Sequence, residues 1–400
     1  MKACGSKQSV LYLATFDPTV SSQGTSTRGK LFLQHFSEHY RTHLVHMREK
    51  DAEGRDEALM AQLASVAAVD HSTFGYFFLS AALYRAAAAV LRREPIDFVF
   101  ADFEKAGWYA YRLSRRFGVP YVYSSHNVEF LRYLDFAKRN RLRYPFVPFM
   151  YLLERAACTH ALLTVSISED DARNLRRWVP DDRLLTLPCA FDQERFNPFY
   201  EAEETARPIV LMVGNYRNAG NREGARLLVR RVVPRVVERR PDVLFRFVGK
   251  HFPEELRHPN VEAVGFIEDL LTEYKRASVV AVPITIGGGI KIKVIEGLAC
   301  GRFVISTPKG LEGVSSEGLV NLRVAKIDDF AQCILQALEH PAAHTTANWE
   351  RLSESYGVRS QLSFLDEKIE AALRARSPGC PPPPSGSLPD DAASGCRASA

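Results

Sequence analysis

Residues 287–301 read GGGIKIKVIEGLACG. Three glycines, Gly287, Gly288 and Gly289, run into two lysines, an apolar stretch holding one glutamate, and a closing glycine. Glycines in such a turn let backbone N–H groups approach a ligand with no Cβ in the way. A helix beginning after them adds unpaired donors and the positive end of its dipole, which together suit a phosphate. Lys291 and Lys293 supply full positive charge. Lys293 has the stronger claim, because Glu296 lies three residues on and shares its helix face. Lys291 shares that side only if the chain is still extended there. A carboxylate one turn from a phosphate cannot serve the phosphate, but it can accept two hydrogen bonds from a vicinal diol such as a ribose. Gly301 fits the helix C-cap. The blander alternative is a tight turn with solvated charges.

These residues need a frame to hold them. The stretch lies between VVAVPI (279–284) and FVIST (303–307), a strand–loop–helix–strand unit in which ligands sit beyond the carboxyl ends of the strands. Before it come PIVLMVG (208–214), closing on Gly214, a helical run over 222–238, and strands VLFRFVG (243–249) and VEAVGF (261–266). The first half alternates in the same way. VLYLATF (10–16), HLVHM (43–47), IDFVF (96–100), PYVYSS (120–125) and ALLTVS (161–166) read as buried strands, with helices over 80–94 and 106–118 between them. Such alternation means a parallel sheet covered on both faces, so the expected class is α/β. The pattern breaks at the acidic, proline-bounded segment 197–208. The expected division is 1–200 and 201–376, with a last helix near 358–375 and a Pro-, Ser- and Gly-rich disordered tail over 377–400.

Composition narrows the setting. Four hundred residues with 46% hydrophobic side chains suffice for two cores. A net charge of +5 permits anionic ligands or a membrane surface without calling for nucleic acid. The seven cysteines are scattered and form no CxxC, which argues against a disulfide framework or a zinc site and for a reducing compartment. No stretch reads as a signal peptide or a membrane span, so a cytoplasmic location is expected.

VPITIGGGIKIKVIEGLACGRFVISTPKGLEGV resembles the donor-site segment of group 1, family 4 glycosyltransferases. YVYSSHNVE, LLTVSISEDDARNL, LLTLPCAFDQERFNP and IVLMVGNYRNAGNREGARLLVRRVVPRV resemble other segments of that family, in the right order. The resemblance implies the GT-B fold: two facing Rossmann-like domains, acceptor side first and donor side second, with a C-terminal helix crossing back to the first. It implies a nucleotide-sugar donor as substrate rather than cofactor, an acceptor it does not identify, no essential metal, and retention at the anomeric carbon. Glu296 falls on the second Glu of the family's E-x7-E pattern, the ribose ligand, whereas Gly288 stands where the first Glu is usual. Gly24, Gly214 and the Gly287–Gly289 loop fall at donor-facing turns, with Lys291 and Lys293 supplying positive charge. His126 falls on a His that contacts the donor sugar or phosphate. A core or capping His, with Asn127 as the cap, is its plain structural alternative, and an ordinary polar loop over 21–29 is that of Gly24. A catalytically degenerate nucleotide-sugar-binding partner subunit and a GT-B-fold nucleotide-sugar epimerase are the functional alternatives.

Two further stretches invite comment. GTSTRGKL (24–31) is one residue short of a phosphate-binding P-loop, and DFVFAD (97–102) imitates its partner strand. Leu31, however, stands where a magnesium-binding hydroxyl is required. The segment 129–155 interleaves aromatics with six basic and three acidic residues. It reads first as a solvated helix pair with core aromatics, and second as a peripheral contact with an anionic membrane surface.

Overall fold

The computed structural model describes residues 7–20, 24–48, 55–70, 79–188, 190–200, 205–267, 269–287, 290–340 and 345–376. Gly288 and Gly289, and the tail over 377–400, lie outside the described residues.

Two all-parallel sheets organise the chain. The first contains β1 (Ser9–Ala14), β2 (Arg41–Arg48), β3 (Ser65–Asp70), β4 (Phe98–Asp102), β5 (Tyr121–Ser124), β6 (Leu163–Ser166) and β7 (Leu184–Thr186). Its order is β3-β2-β1-β4-β5-β6-β7. The second contains β8 (Ile209–Val213), β9 (Leu244–Val248), β10 (Val261–Gly265), β11 (Val279–Val282), β12 (Phe303–Ser306) and β13 (Leu322–Val324), in the order β10-β9-β8-β11-β12-β13. Each sheet therefore reverses its winding once, between β1 and β4 and between β8 and β11. Such reversal points open a crevice at the carboxyl ends of the strands. The central strands are apolar and wholly buried, as a sheet covered on both faces requires. This is the GT-B architecture of two Rossmann-like domains.

Among the helices that accompany these strands are α1 (Gly24–His39), α2 (Glu104–Phe117), α3 (Glu129–Arg139), α4 (Phe146–His160), α5 (Ala219–Leu227), α6 (Leu270–Arg276) and α7 (Ile292–Ala299). The last, α8 (Val358–Ala375), buries Leu362, Leu365 and Ile369 among Val10, Tyr12, Phe36, Val122 and Leu163 of the first domain. Asp366 fastens it there, 2.7 Å from His35 Nε2 and accepting from the Tyr40 hydroxyl at 2.7 Å. The final helix does cross back.

Several elements differ from expectation. Strands β3, β7 and β13 are additional to those expected: all three are edge strands, either only three residues long or largely exposed. The polar loop over 21–29 gives way to helix from Gly24 onward, because Phe32, Leu33 and Phe36 bury one face of α1 and draw its weakly helical start into register. The single helix over 222–238 is instead α5 followed by a wide π turn (Leu228–Val232) and a short helix (Val233–Val237). Pro234 lacks the N–H that an uninterrupted ladder would use. Gly301 follows the C-cap, which is Cys300, and takes the left-handed φ of +68° that ends α7.

Candidate active site

The loop after β11 and the head of α7 form the first half of the site. Gly287 has φ +98° with open space where a Cβ would point, so the backbone conformation is what demands glycine. Lys291 is extended and stands as the N-cap; the helix begins at Ile292. The ambiguity in the two lysines is thereby resolved: Lys291 stands before the helix and Lys293 within its first turn. Lys293 is 8% exposed. Its Nζ donates to the Val213 carbonyl at the end of β8 and to Asn221 Oδ1 at 2.7 Å. The head of α7 is thus tied across the β8/β11 reversal point to the first turn of α5. Burial lowers the ammonium to about 8, with Glu296 pulling it up and Lys291 pushing it further down.

Gly214 sits where β8 gives way to α5, and there the need is space. A Cβ would come 2.7 Å from the Asn221 side chain. Asn221 Nδ2 donates to the Asn215 carbonyl at 2.9 Å, which turns Oδ1 toward Lys293. Asn218 caps α5 by accepting from the Gly220 N–H at 2.9 Å. Arg217 and Arg222 are exposed and reach this cluster through their backbone N–H groups, which donate to Asn215 Oδ1 and to the Asn218 carbonyl.

Glu296 follows one turn after Lys293. Its Oε2 accepts from the Tyr274 hydroxyl of α6 at 2.8 Å, leaving Oε1 without a protein partner among the described residues. Burial pushes the carboxyl above its ordinary range, and Tyr274, Lys293 and Arg195 offset this only in part. Tyr274 is fully buried, its phenol raised well above the ordinary value by burial and by Glu296 beside it, so it remains a donor. A carboxylate oriented by a buried phenol, one helical turn from a buried ammonium, offers hydrogen-bond acceptors to a diol and a charged donor to an anion.

The second half belongs to the first sheet. His126 follows β5 and is buried; its Nε2 lies 2.7 Å from Asp102 Oδ1 at the end of β4. Asp102 Oδ2 accepts from the Tyr12 hydroxyl of β1 at 2.6 Å. Burial would raise the Asp102 carboxyl, but His126 and the Tyr12 hydroxyl outweigh it and hold the group below the usual carboxylate range. An ionised Asp102 requires the proton on Nε2, so Nδ1 is the nitrogen left for a ligand. The rings of Phe103 and Phe16 meet the imidazole edge-on at 5.3 and 6.3 Å. Phe103 adopts φ +81° and ψ 169°, a backbone region that side chains avoid, at the point where β4 passes into α2. Strain of this kind persists where surrounding structure enforces it, and here it puts an aromatic ring against His126. Asn127 is not the cap of α3: Glu154 of α4 accepts from the Glu129 and Phe130 N–H groups at 2.9 and 3.0 Å.

Gly24 opens α1, and residues 24–31 are helical rather than wrapped as a P-loop. Asn221 brings Lys293 and Gly214 together, and Tyr274 holds Glu296 one turn along the helix from Lys293. His126 stands apart from them, on the other sheet, with no hydrogen bond or ion pair to that group among the described residues. Residue patterns alone do not single out Asp102, Tyr12, Asn221 or Tyr274. For Asp102 a signal exists: DFVFAD ends a buried strand on an acid at the ligand end of the sheet, a meaning that its likeness to a P-loop partner strand obscures.

Comparison with known proteins bears on both halves. The family model described as Glycosyl transferases group 1 matches residues 207–340, and that described as Glycosyltransferase Family 4 matches residues 24–195. No curated protein matches by sequence. Among solved structures, sucrose-phosphate synthase from Thermosynechococcus elongatus is similar at 19% identity and a TM-score of 0.68, covering 92% of this chain and 100% of its own. Anabaena HepE in complex with UDP-glucose is similar at 14% identity and a TM-score of 0.66, covering 91% of this chain and 99% of its own. A Listeria monocytogenes protein described as a UDP-N-acetylglucosamine 2-epimerase is similar at 13% identity and a TM-score of 0.57, covering 96% of this chain and 100% of its own.

Proposed function

The chain belongs to the group 1, family 4 glycosyltransferases, and from that premise we propose that it moves a sugar from a nucleoside-diphosphate donor to an acceptor, with retention and without an essential metal. The observation that carries this reading is the pair Lys293 and Glu296 at the head of α7, one tied to the end of β8 and the other oriented by Tyr274. In this reading Glu296 accepts from the ribose hydroxyls. The Gly287–Gly289 loop, the head of α7 and Lys293, with Lys291 beside it, receive the diphosphate. Their positive field stabilises the charge that develops on the leaving group as the glycosidic bond breaks. His126, held by Asp102, offers Nδ1 to the sugar. UDP is the first nucleotide to test, because HepE binds UDP-glucose.

The division of labour follows the two sheets: residues 1–200 face the acceptor and 201–376 hold the donor. We place the reaction in the cytoplasm, where the buried thiols Cys158, Cys300 and Cys333 stay reduced. No helix among the described residues is long and apolar enough to cross a membrane. A peripheral contact through 129–155 is favoured by one observation: Leu142 is 83% exposed, with Arg141, Arg143 and Tyr144 around it.

The deciding experiment is a thermal-shift panel of UDP, GDP, ADP, CDP and dTDP on the wild type and on Glu296→Ala. One diphosphate should raise the melting temperature of the wild type and leave the variant unmoved. No shift with any of them on a folded sample sinks the reading. Binding without sugar transfer from the matching nucleotide-sugars to water or acceptors would mark a binding subunit, and interconversion of free nucleotide-sugars an epimerase.

A further inference from the structure

We propose that Asn221 is a positioning residue for the donor diphosphate, acting by holding the Lys293 ammonium at the head of α7. The inference rests on the donor-site reading and adds to it a residue from a different helix, 72 positions away in the chain.

The geometry is specific. An ammonium has three N–H donors and no acceptor. Two of those on Lys293 are directed to the Val213 carbonyl and to Asn221 Oδ1, and the third has no protein partner among the described residues. A lysine anchored at two points keeps one donor for a ligand oxygen without the rotational freedom of a free side chain. Asn221 can do this only in one orientation. Its Nδ2 is occupied by the Asn215 carbonyl, so the amide cannot flip and turn a donor toward the lysine. Gly214 completes the arrangement, since a Cβ there would come 2.7 Å from the Asn221 Cγ.

Asn221 also bears on the charge. Lys293 is buried in a place that disfavours its ionised form, and a neutral amine would give the diphosphate no charge. The charged groups that act on it are Glu296, one turn along the same helix, and Lys291 at its head. Helix α5 and strand β8 offer only neutral acceptors, Asn221 Oδ1 and the Val213 carbonyl. Each acceptor favours the protonated state, so removing Asn221 should let the ammonium deprotonate at lower pH. A residue that merely stabilised the α5 turn would not have this effect.

The test is calorimetric titration with the tightest of the five nucleoside diphosphates, across roughly pH 6–10. Wild-type affinity should fall by about tenfold per pH unit above the Lys293 value of about 8. Asn221→Leu should bind about tenfold more weakly at neutral pH, with its alkaline fall beginning about one unit lower. Asn221→Asp should move that fall to higher pH, because a carboxylate stabilises the ammonium, whatever its repulsion does to affinity. Where Asn221→Leu does not fold, the Asp variant alone carries the test. Three outcomes overturn the inference while leaving the donor site standing: variants that bind like wild type, variants that weaken with the alkaline fall unmoved, or a wild type with no alkaline fall. A folded wild type that binds none of the five overturns the donor-site reading and this inference with it.

Discussion

At the scale of single residues, Lys293 is held against its own chemistry. Its folded value is about 8, whereas an unfolded lysine keeps its proton to about 10.4. Between those values the unfolded chain binds more protons, so stability should rise with pH through that window. Lys293→Met should abolish this rise, keep or increase the melting temperature at neutral pH, and weaken diphosphate binding by more than about tenfold. Denaturation curves at two pH values and one titration check it. Asp102 is the corresponding residue of the other half. Asp102→Asn retains an acceptor for His126 but lacks the charge that fixes its tautomer, so turnover should fall by roughly 10–100-fold with donor affinity nearly unchanged. Equal losses in kcat and in donor binding would refute that role. Glu296, Lys293 and His126 stand out in the sequence because short spacings and a strand end mark them. Asn221, Tyr274 and Tyr12 are not, because their partners lie 72, 22 and 90 residues away and only the fold brings them within reach.

At the scale of elements, long buried strands and well-capped helices are readable and the edges are not. Helix α2 ends where expected, at Gly118 with φ +73°, since no other residue takes that conformation so cheaply. Strand β3 holds only the short run VAAV (66–69), half of it alanine, at a partly exposed edge of the sheet. The segment 129–155 combines core aromatics with one exposed turn. Phe130 and Tyr151 pack with Trp178 at ring distances of 5.1–5.4 Å, so these aromatics serve the interior. The short turn Arg141–Arg143 between α3 and α4 instead presents Leu142 outward between two arginines. An apolar side chain flanked by cations suits an anionic lipid interface. Co-sedimentation with vesicles containing anionic phosphatidylglycerol should therefore exceed that with neutral phosphatidylcholine, and Leu142→Glu should reduce it severalfold. Equal sedimentation with both lipids removes the proposal.

At the scale of the whole molecule, the two-domain plan is the most legible feature, because strand–helix alternation repeats it throughout. The manner of joining is not visible in residue patterns. The chain passes from the first domain to the second through residues near Phe191 and returns through Gly357, and the two passages are laced together. The Phe191 N–H donates to the Tyr356 carbonyl at 2.9 Å, and the Val358 N–H donates to the Phe191 carbonyl at 3.1 Å. Beyond that crossing α8 is held by Asp366, which serves both His35 and Tyr40. Asp366→Ala should lower the unfolding free energy by about 1–3 kcal/mol in a denaturant titration, and no loss would show that apolar contact alone fixes the helix.

The returning helix also sets an order on biogenesis. A protein emerges from the ribosome first end first, and a domain ordinarily folds once its own residues are out. Here one face of the earliest-made sheet is finished by Leu362, Leu365 and Ile369, among the last residues of the described chain. The nascent first domain must wait through the synthesis of the whole second domain with that face only partly covered, by α1. Chaperone dependence, and the solubility of chains cut short before residue 358, should follow from that wait rather than from any weakness in the finished fold.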